Sequence, residues 1–369
     1  MSQAQQTGTA WYKENPGNST LYSESDTLTT LPAEWAPQRA IMLTWPHAAT
    51  DWGTNLAEAE SVFIEIAQAI SACEQLIITC CDESHKKSVL KKLETAHIPR
   101  KRVSIFVHVS NDCWTRDHGP IAVIENGHTH LLDFEFNGWG GKYPAQKDNQ
   151  LSRALYKQGA LDETPFTTLP FVLEGGSIDT DGQGTLLTTT ACLLSPTRNP
   201  SLDRTEIEHR LNQYLGVQRV LWLQHGWLRG DDTDSHIDML ARFCDPATIA
   251  YTCCDNEADE HFTPLQAMKQ ELAAFRTCTG KAYTFVPLPI PRAIYHKEGQ
   301  RLPASYANFL IINKAVLVPL YDDPADEIAL GNLQACFPDR QIIGINCLPI
   351  IQQYGSLHCL TMQLPRVTG

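Results

Sequence analysis

From Leu31 onward the chain switches repeatedly between two hydrophobic rhythms. In "AEAESVFIEIAQAISAC" (57–73), Val62, Ile66, Ala69 and Ile70 fall three or four positions apart, the spacing that lines one face of a helix. "EQLIITCC" is a short unbroken apolar run and reads as a buried strand, whereas "SHKKSVLKKLETAH" returns to helical spacing with a basic outer face. "RVSIFVHV" is a further strand, and "WTRDHGPIAVIENGHTHLLDFEF" holds a hairpin joined at Asn126-Gly127. That dipeptide suits a tight turn because both residues tolerate positive φ.

The succession continues with "GTLLTTTACLL", helix "RTEIEHRLNQYLG", strand "RVLWLQ" and the strands "DMLARFC" and "TIAYTCC". Helix "TPLQAMKQELAAFRTCT", strands "AYTFVPLP" and "ANFLIINKAVLVPLY", helix "DEIALGNLQACF" and strand "RQIIGINC" complete it. No linker divides these segments and no repeat shows at the level of sequence, so the pattern predicts one α/β domain over 31–369. Residues 1–30, rich in Ser, Thr, Asn, Gln and Gly, are expected to form a loose arm.

Composition narrows the partners. With 43% hydrophobic and 19% charged residues the chain is globular, and a net charge of −13 disfavours nucleic acid, which rewards clusters of lysine and arginine. An acidic surface is compatible with a cationic ligand. The N-terminus has no basic start followed by an apolar run, and no stretch is long and apolar enough to span a bilayer, so neither secretion nor membrane insertion is expected. None of the twelve cysteines falls in a CxxC pair and several sit in apolar strands, which reads as free thiols in a reducing cytoplasm.

Four segments hold candidate chemistry. "GDDTDSHID" (230–238) packs four aspartates and a histidine into nine positions. It could be a solvated turn, a metal site built from Asp232, Asp234 and His236, or a pocket for a cation. If "HIDMLARF" enters a strand, His236 and Asp238 project to the same face, as a proton-transfer and cation-binding pair would. In "NDCWTRDHGPIAV", Trp114 and Asp117 could hold a planar cation by stacking and forked hydrogen bonds, or the segment is a structural Arg116–Asp117 turn. In "LEGGSIDTDGQG", Glu174 ends an apolar strand beside two glycines that let backbone approach closely. In "QQYGSLHCLTMQLP", Cys359 follows a polar, glycine-containing approach, which separates it from thiols in the middle of apolar runs; Cys113 is its nearest rival.

In order, Trp-x-Arg-Asp-x-Gly-Pro, Glu-Gly-Gly, His-x-Asp and a C-terminal Gly-x-x-His-Cys resemble the guanidine-modifying enzymes of the pentein superfamily. More narrowly, the chain is similar to the agmatine deiminases, in the family that also contains the Porphyromonas-type peptidylarginine deiminase. The match runs from "LPAEWAPQRAIMLTWPH" through "LHCLTMQLP" and takes in "FNGWGGKYPAQKDNQL" and "GTLLTTTACLLSPTRNP".

The resemblance implies a five-bladed α/β propeller with pseudo-fivefold symmetry, cytoplasmic and homodimeric, with no metal and no cofactor. It implies hydrolysis of agmatine to N-carbamoylputrescine and ammonia through a covalent amidino-cysteine. Cys359 would be the nucleophile, His236 the general acid and base, Asp117 and Asp238 the guanidinium-binding carboxylates, and Glu174 the group that steadies the histidine. Asp51, Trp45, Trp114 and the aspartates at 231, 232 and 234 are candidates for the substrate tail. An imidazolium and a bound cation would both favour the thiolate.

The sequence departs from the family at two places. "WPHAATDW" stands for Trp-Pro-x-Arg-x-Asp-Asn-Trp, and "YGSLHC" for Gly-Gly-Gly-Asn-Ile-His-Cys. An arginyl substrate, an amidinotransferase, a metal-dependent hydrolase and a non-catalytic polyamine-binding protein are the alternatives.

Overall fold

A computed structural model describes residues 28–366. Its strands form five small sheets. In each sheet a strand lies antiparallel to the next, and that one lies parallel to a third. Antiparallel neighbours need only a turn, whereas parallel neighbours need a crossover, and helices supply it. Leu56–Cys73 joins Gln38–Thr44 to Gln75–Cys80, and Arg204–Leu215 joins Thr185–Thr189 to Arg219–Leu223. Phe262–Ala274 and Ala325–Cys336 serve Thr248–Cys253 and Ala315–Leu320 in the same way.

The helical periodicity accounts for the packing. Leu56–Cys73 buries Val62, Phe63, Ile66 and Ile70 together, each contributing about 1.5–3 kcal/mol on removal from water. Arg204–Leu215 starts with a capping box, Asp203 with Glu206, and stops at Gly216, whose φ of 67° lies in the left-handed region. The expected hairpin at Asn126-Gly127 is present, with φ of 51° and 81°, between Ile121–Glu125 and His128–Glu135. All twelve cysteines are free. No helix of the described residues is long and apolar enough to cross a membrane.

Three expectations need correction. "HIDMLARF" is not one strand: Ile237–Met239 is a turn of 3-10 helix and the strand is only Ala241–Asp245. Asp234 and Ser235, both at positive φ, bend the chain before it, and His236 and Asp238 take their directions from tertiary contacts. "ANFLIINKAVLVPLY" is two antiparallel strands, Leu310–Ile311 and Ala315–Leu320. Its turn lies at Asn313, whose side chain bonds Gln38 and Glu74. Of the predicted arm, residues 1–27 lie outside the described residues, but Thr29–Thr30 is a strand paired with Ile124 and Glu125.

Candidate active site

In each sheet one strand of the antiparallel pair is preceded, a few residues upstream, by a polar residue of the site. Asp117 lies in the helical turn Thr115–His118 before Ile121–Glu125, and Glu174 precedes Ile178–Thr180. His236 and Asp238 precede Ala241–Asp245, and Asn308 precedes Leu310–Ile311. Cys359 precedes Thr361–Pro365, which pairs with Gln38–Thr44.

Backbone and side-chain bonds link these segments. Arg116 N donates to Cys359 O at 3.1 Å, and Gly176 N donates to Asp117 Oδ1 at 2.9 Å. Thr189 Oγ1 donates to Ser235 O at 2.8 Å, Asn308 Nδ2 donates to Asp238 Oδ2 at 3.1 Å, and His358 N donates to Asn308 Oδ1 at 2.9 Å.

Cys359 lines a cavity of about 300 Å³ together with Asp117, Asp238, Trp114 and Trp139. Its thiol donates toward Asp238 Oδ2 at 3.7 Å and accepts from Asn308 Nδ2 at 3.2 Å. The same carboxylate oxygen takes His358 Nδ1 at 2.8 Å. Asp238 Oδ1, by contrast, is buried and finds no hydrogen-bond partner among the described residues. Asp117 is held at both oxygens, by Gly176 N and by Trp139 Nε1 at 3.0 Å.

Gly176 sits where these groups meet. A Cβ there would come within 2.6 Å of His236 Nδ1, 2.8 Å of Asp117 Oδ1 and 3.1 Å of Asp238 Oδ2. His236 Nδ1 is 3.7 Å from Asp117 and Nε2 is 3.9 Å from Glu174, so neither contact is a hydrogen bond. Glu174 therefore touches the histidine only loosely. Its strong partner is Arg198, whose Nε bonds both carboxylate oxygens at 2.9 and 3.0 Å while Nη1 holds Asp234 at 2.6 Å.

Burial separates the two carboxylates. It pushes Asp117 well above the usual carboxylate range, and the neighbouring Asp238 adds to the rise. Asp238 is also raised by burial, but the His358 hydrogen bond and charge outweigh this and leave it lowered. The two carboxyl groups are thus pushed in opposite directions, as two acids in one site tend to be. Burial, Asp238 and Asp117 push the Cys359 thiol well up. Burial drives His236 down to about 3, which favours the neutral imidazole.

The acidic turn divides its duties. Asp231 caps it, accepting from Thr233 and Ser235, and Asp234 is spent on Arg198 and Lys142. Asp232 accepts from Tyr143 Oη at 2.6 Å and lines the cavity, as do Asp231 and Asp51. Trp114 lies under Gly355, where a Cβ would approach its ring to 2.2 Å. Trp45 is not part of the cavity: its indole N–H bonds Glu60 and its ring packs on Phe63. Cys113 is buried and does not line the cavity either.

The metal set read from Asp232, Asp234 and His236 does not form. A different trio, Glu174, Cys192 and His236, brings its ligand atoms within 4.8 Å of one another. Arg198 forks onto Glu174 there, so a cation would have to compete with a fixed guanidinium in a closed space.

Sequence reasoning gave no role to Asn308, Arg198 or Trp139. Asn308 occupies the fourth sheet's counterpart of the other upstream positions, which is the signal that could have found it. Arg198 and Trp139 sit in quoted family segments, but their partners Glu174 and Asp117 are distant in sequence.

Likeness to known proteins runs over nearly the whole chain. A structure from Porphyromonas gingivalis, provisionally titled arginine deiminase, is 48% identical with a TM-score of 0.84, covering 92% of this chain and 98% of that one. The C. jejuni agmatine deiminase with substrate bound is 38% identical with a TM-score of 0.86, covering 95% and 99%. A Shewanella baltica protein provisionally named agmatine deiminase is 34% identical over 357 residues, 91% of this chain and 94% of its own. The family model for Porphyromonas-type peptidyl-arginine deiminase matches residues 30–365, and the chain belongs to that family.

Proposed function

We propose that the protein hydrolyses agmatine to N-carbamoylputrescine and ammonia. The observation that carries this is Asp238: one oxygen is pinned by His358 and Asn308, and the other is left unpartnered beside a thiol in an acid-lined cavity. A guanidinium offers parallel N–H donors that fit carboxylate oxygens in its own plane. Asp238 and Asp117 would hold its rim and leave the central carbon facing Cys359.

In this reading Cys359 Sγ forms a C–S bond to that carbon as its proton passes to His236. The imidazolium gives the proton to the departing nitrogen, and the C–N bond breaks to release ammonia. His236 then takes a proton from water, and the hydroxide adds to the same carbon. The C–S bond breaks as the new hydroxyl loses its proton, which leaves with the ammonia, to give the ureido product. His236 returns its proton to the sulfur, restoring the thiol and the neutral imidazole. A neutral His236 at rest is the form that can accept the first proton. Glu174 and Arg198 support it from behind, and Asn308 orients the sulfur.

Agmatine is favoured over arginine by the wall of the cavity. Seven aspartates and no lysine or arginine line it, which suits an amine and repels a carboxylate. The runner-up, an arginine-type deiminase, draws on the P. gingivalis likeness.

The experiment is ammonia release from agmatine, arginine and an arginyl peptide, with and without chelator. Agmatine is turned over, arginine at least about tenfold less efficiently, and chelator changes nothing. Ammonia from arginine alone overturns the substrate, and loss of activity on chelation overturns the thiol mechanism.

The resting protonation states give a second expectation. Thiolate is the alkylated form, and a raised pKa moves it to alkaline solution. Iodoacetamide labelling of Cys359 in free protein is therefore slow at neutral pH and rises only in alkaline solution, with no step near neutrality. A neutral step, followed by peptide mass spectrometry, would reveal a thiolate–imidazolium pair at rest.

The same proposal includes five sheets as blades of one pentein propeller. Their shared strand plan supports it, as does the circuit of bonds from the Asp117 segment through the Glu174, His236 and Asn308 segments to Cys359 and back.

A further inference from the structure

Behind the substrate carboxylate lies a buried line of three ionisable groups. His358 Nδ1 meets Asp238 Oδ2 at 2.8 Å, and His358 Nε2 meets Glu34 Oε1 at 2.7 Å. The histidine is fully buried. Glu34 is the anchor of the far end. It takes Arg116 at 3.2 Å, Gln363 at 2.9 Å and a short bond from Arg242.

Proton arithmetic fixes the state of this line. Ionised carboxylates only accept, so bonds at both ring nitrogens need a proton on each. A neutral imidazole carries one and would leave a nitrogen lone pair facing a carboxylate oxygen. Burial pushes Glu34 up, but Arg242, His358 and Arg116 overcome this and hold it well below the ordinary range. The additional proton therefore belongs on the histidine side. Burial, Arg116 and Arg242 pull His358 down against Glu34 and the Asp238 hydrogen bond, and the second proton is placed by geometry, a carboxylate oxygen at each ring nitrogen at 2.8 and 2.7 Å.

We propose that Glu34 and His358 are positioning residues that lock the Asp238 carboxylate, Oδ2 inward and Oδ1 toward the guanidinium, through a doubly protonated imidazole. The inference rests on the guanidinium-binding role given to Asp238 above. Neither residue touches the cavity, so a change at Glu34 reaches the ligand through two hydrogen bonds.

The test is calorimetric binding of agmatine to Cys359→Ser protein, with Glu34→Gln, Asp238→Asn and the two combined. Glu34→Gln keeps the shape and removes the charge, and it should weaken agmatine binding by about tenfold or more. In the Asp238→Asn background it should change binding by less than about twofold, because the effect travels through that carboxylate. An equal loss in both backgrounds, or none in either, overturns the proposal.

Should Glu34→Gln fail to fold, His358→Asn against His358→Ala decides it. The asparagine amide reaches the place of Nδ1 and keeps the bond to Asp238 but loses Glu34, so it should weaken binding by about tenfold, as Glu34→Gln does, while alanine, which loses both bonds, weakens it further. Equal loss refutes the proposal. Nitrogen-15 histidine spectra supply a readout that needs no substrate: His358 shows both ring nitrogens protonated, and Glu34→Gln removes one. If the parent binds no agmatine, the functional reading fails, and a singly protonated His358 separately refutes the line.

Discussion

Cys359→Ala lowers ammonia release from agmatine by about 10⁴-fold or more, the scale seen when a covalent nucleophile is removed. Substrate binding survives, because Asp117 and Asp238 are untouched. Cys113→Ala is the informative control. Cys113 is buried in the same core cluster as Trp52 and Trp114, so its loss costs about 1 kcal/mol of packing and leaves kcat/KM within about twofold. Brief reaction with agmatine followed by mass spectrometry should find an amidino group on Cys359. Should the two alanine variants behave the other way round, the nucleophile has been misassigned.

Gly176→Ala is expected to lower kcat/KM by about 100-fold or more, although it adds a single methyl group. The cause is crowding, since that methyl would press on the imidazole and on both carboxylates at once. Gly176 N also carries the bond to Asp117, so any backbone movement away from the clash loosens the acid. Gly331 gives the comparison: it lies in the helix Ala325–Cys336 with nothing within 4 Å of its absent Cβ. Alanine there should leave activity alone and stabilise by up to about 1 kcal/mol, through the lower entropy of the unfolded chain. Steady-state kinetics with thermal melts separate the two effects. A Gly176→Ala protein with parental kcat/KM would show that the three groups do not need their present spacing.

Elements with a long periodic face were legible, as the helices Leu56–Cys73 and Arg204–Leu215 illustrate. Strand runs were legible where turn residues bounded them, and misread where they did not. In "HIDMLARF" the alternation of polar and apolar residues imitates a strand, but His236 and Asp238 are site residues, and Asp238 is held by the distant His358. In "ANFLIINKAVLVPLY" the apolar character on both sides of Asn313 hid the turn.

At the site, the sequence motifs named Cys359, His236, Asp238, Asp117 and Glu174, and the fold brings them to one region. It did not disclose which atoms meet. The loose Glu174–His236 contact, the Arg198 fork and the Glu34–His358 bond depend on pairs far apart along the chain. Local pattern carries no signal for such pairs.

Glu34 and His358 lie 324 positions apart, and the sheet that seats Cys359 pairs Thr361–Pro365 with Gln38–Thr44. Closing so long a loop adds little to the equilibrium cost, about 0.6 kcal/mol for each doubling of length. Its weight falls on kinetics, because contacts of high order form late. A refolding chain should therefore regain most of its circular dichroism before it can trap an alkylating agmatine analogue, and the reactive sulfur is the last part of the enzyme to come into register.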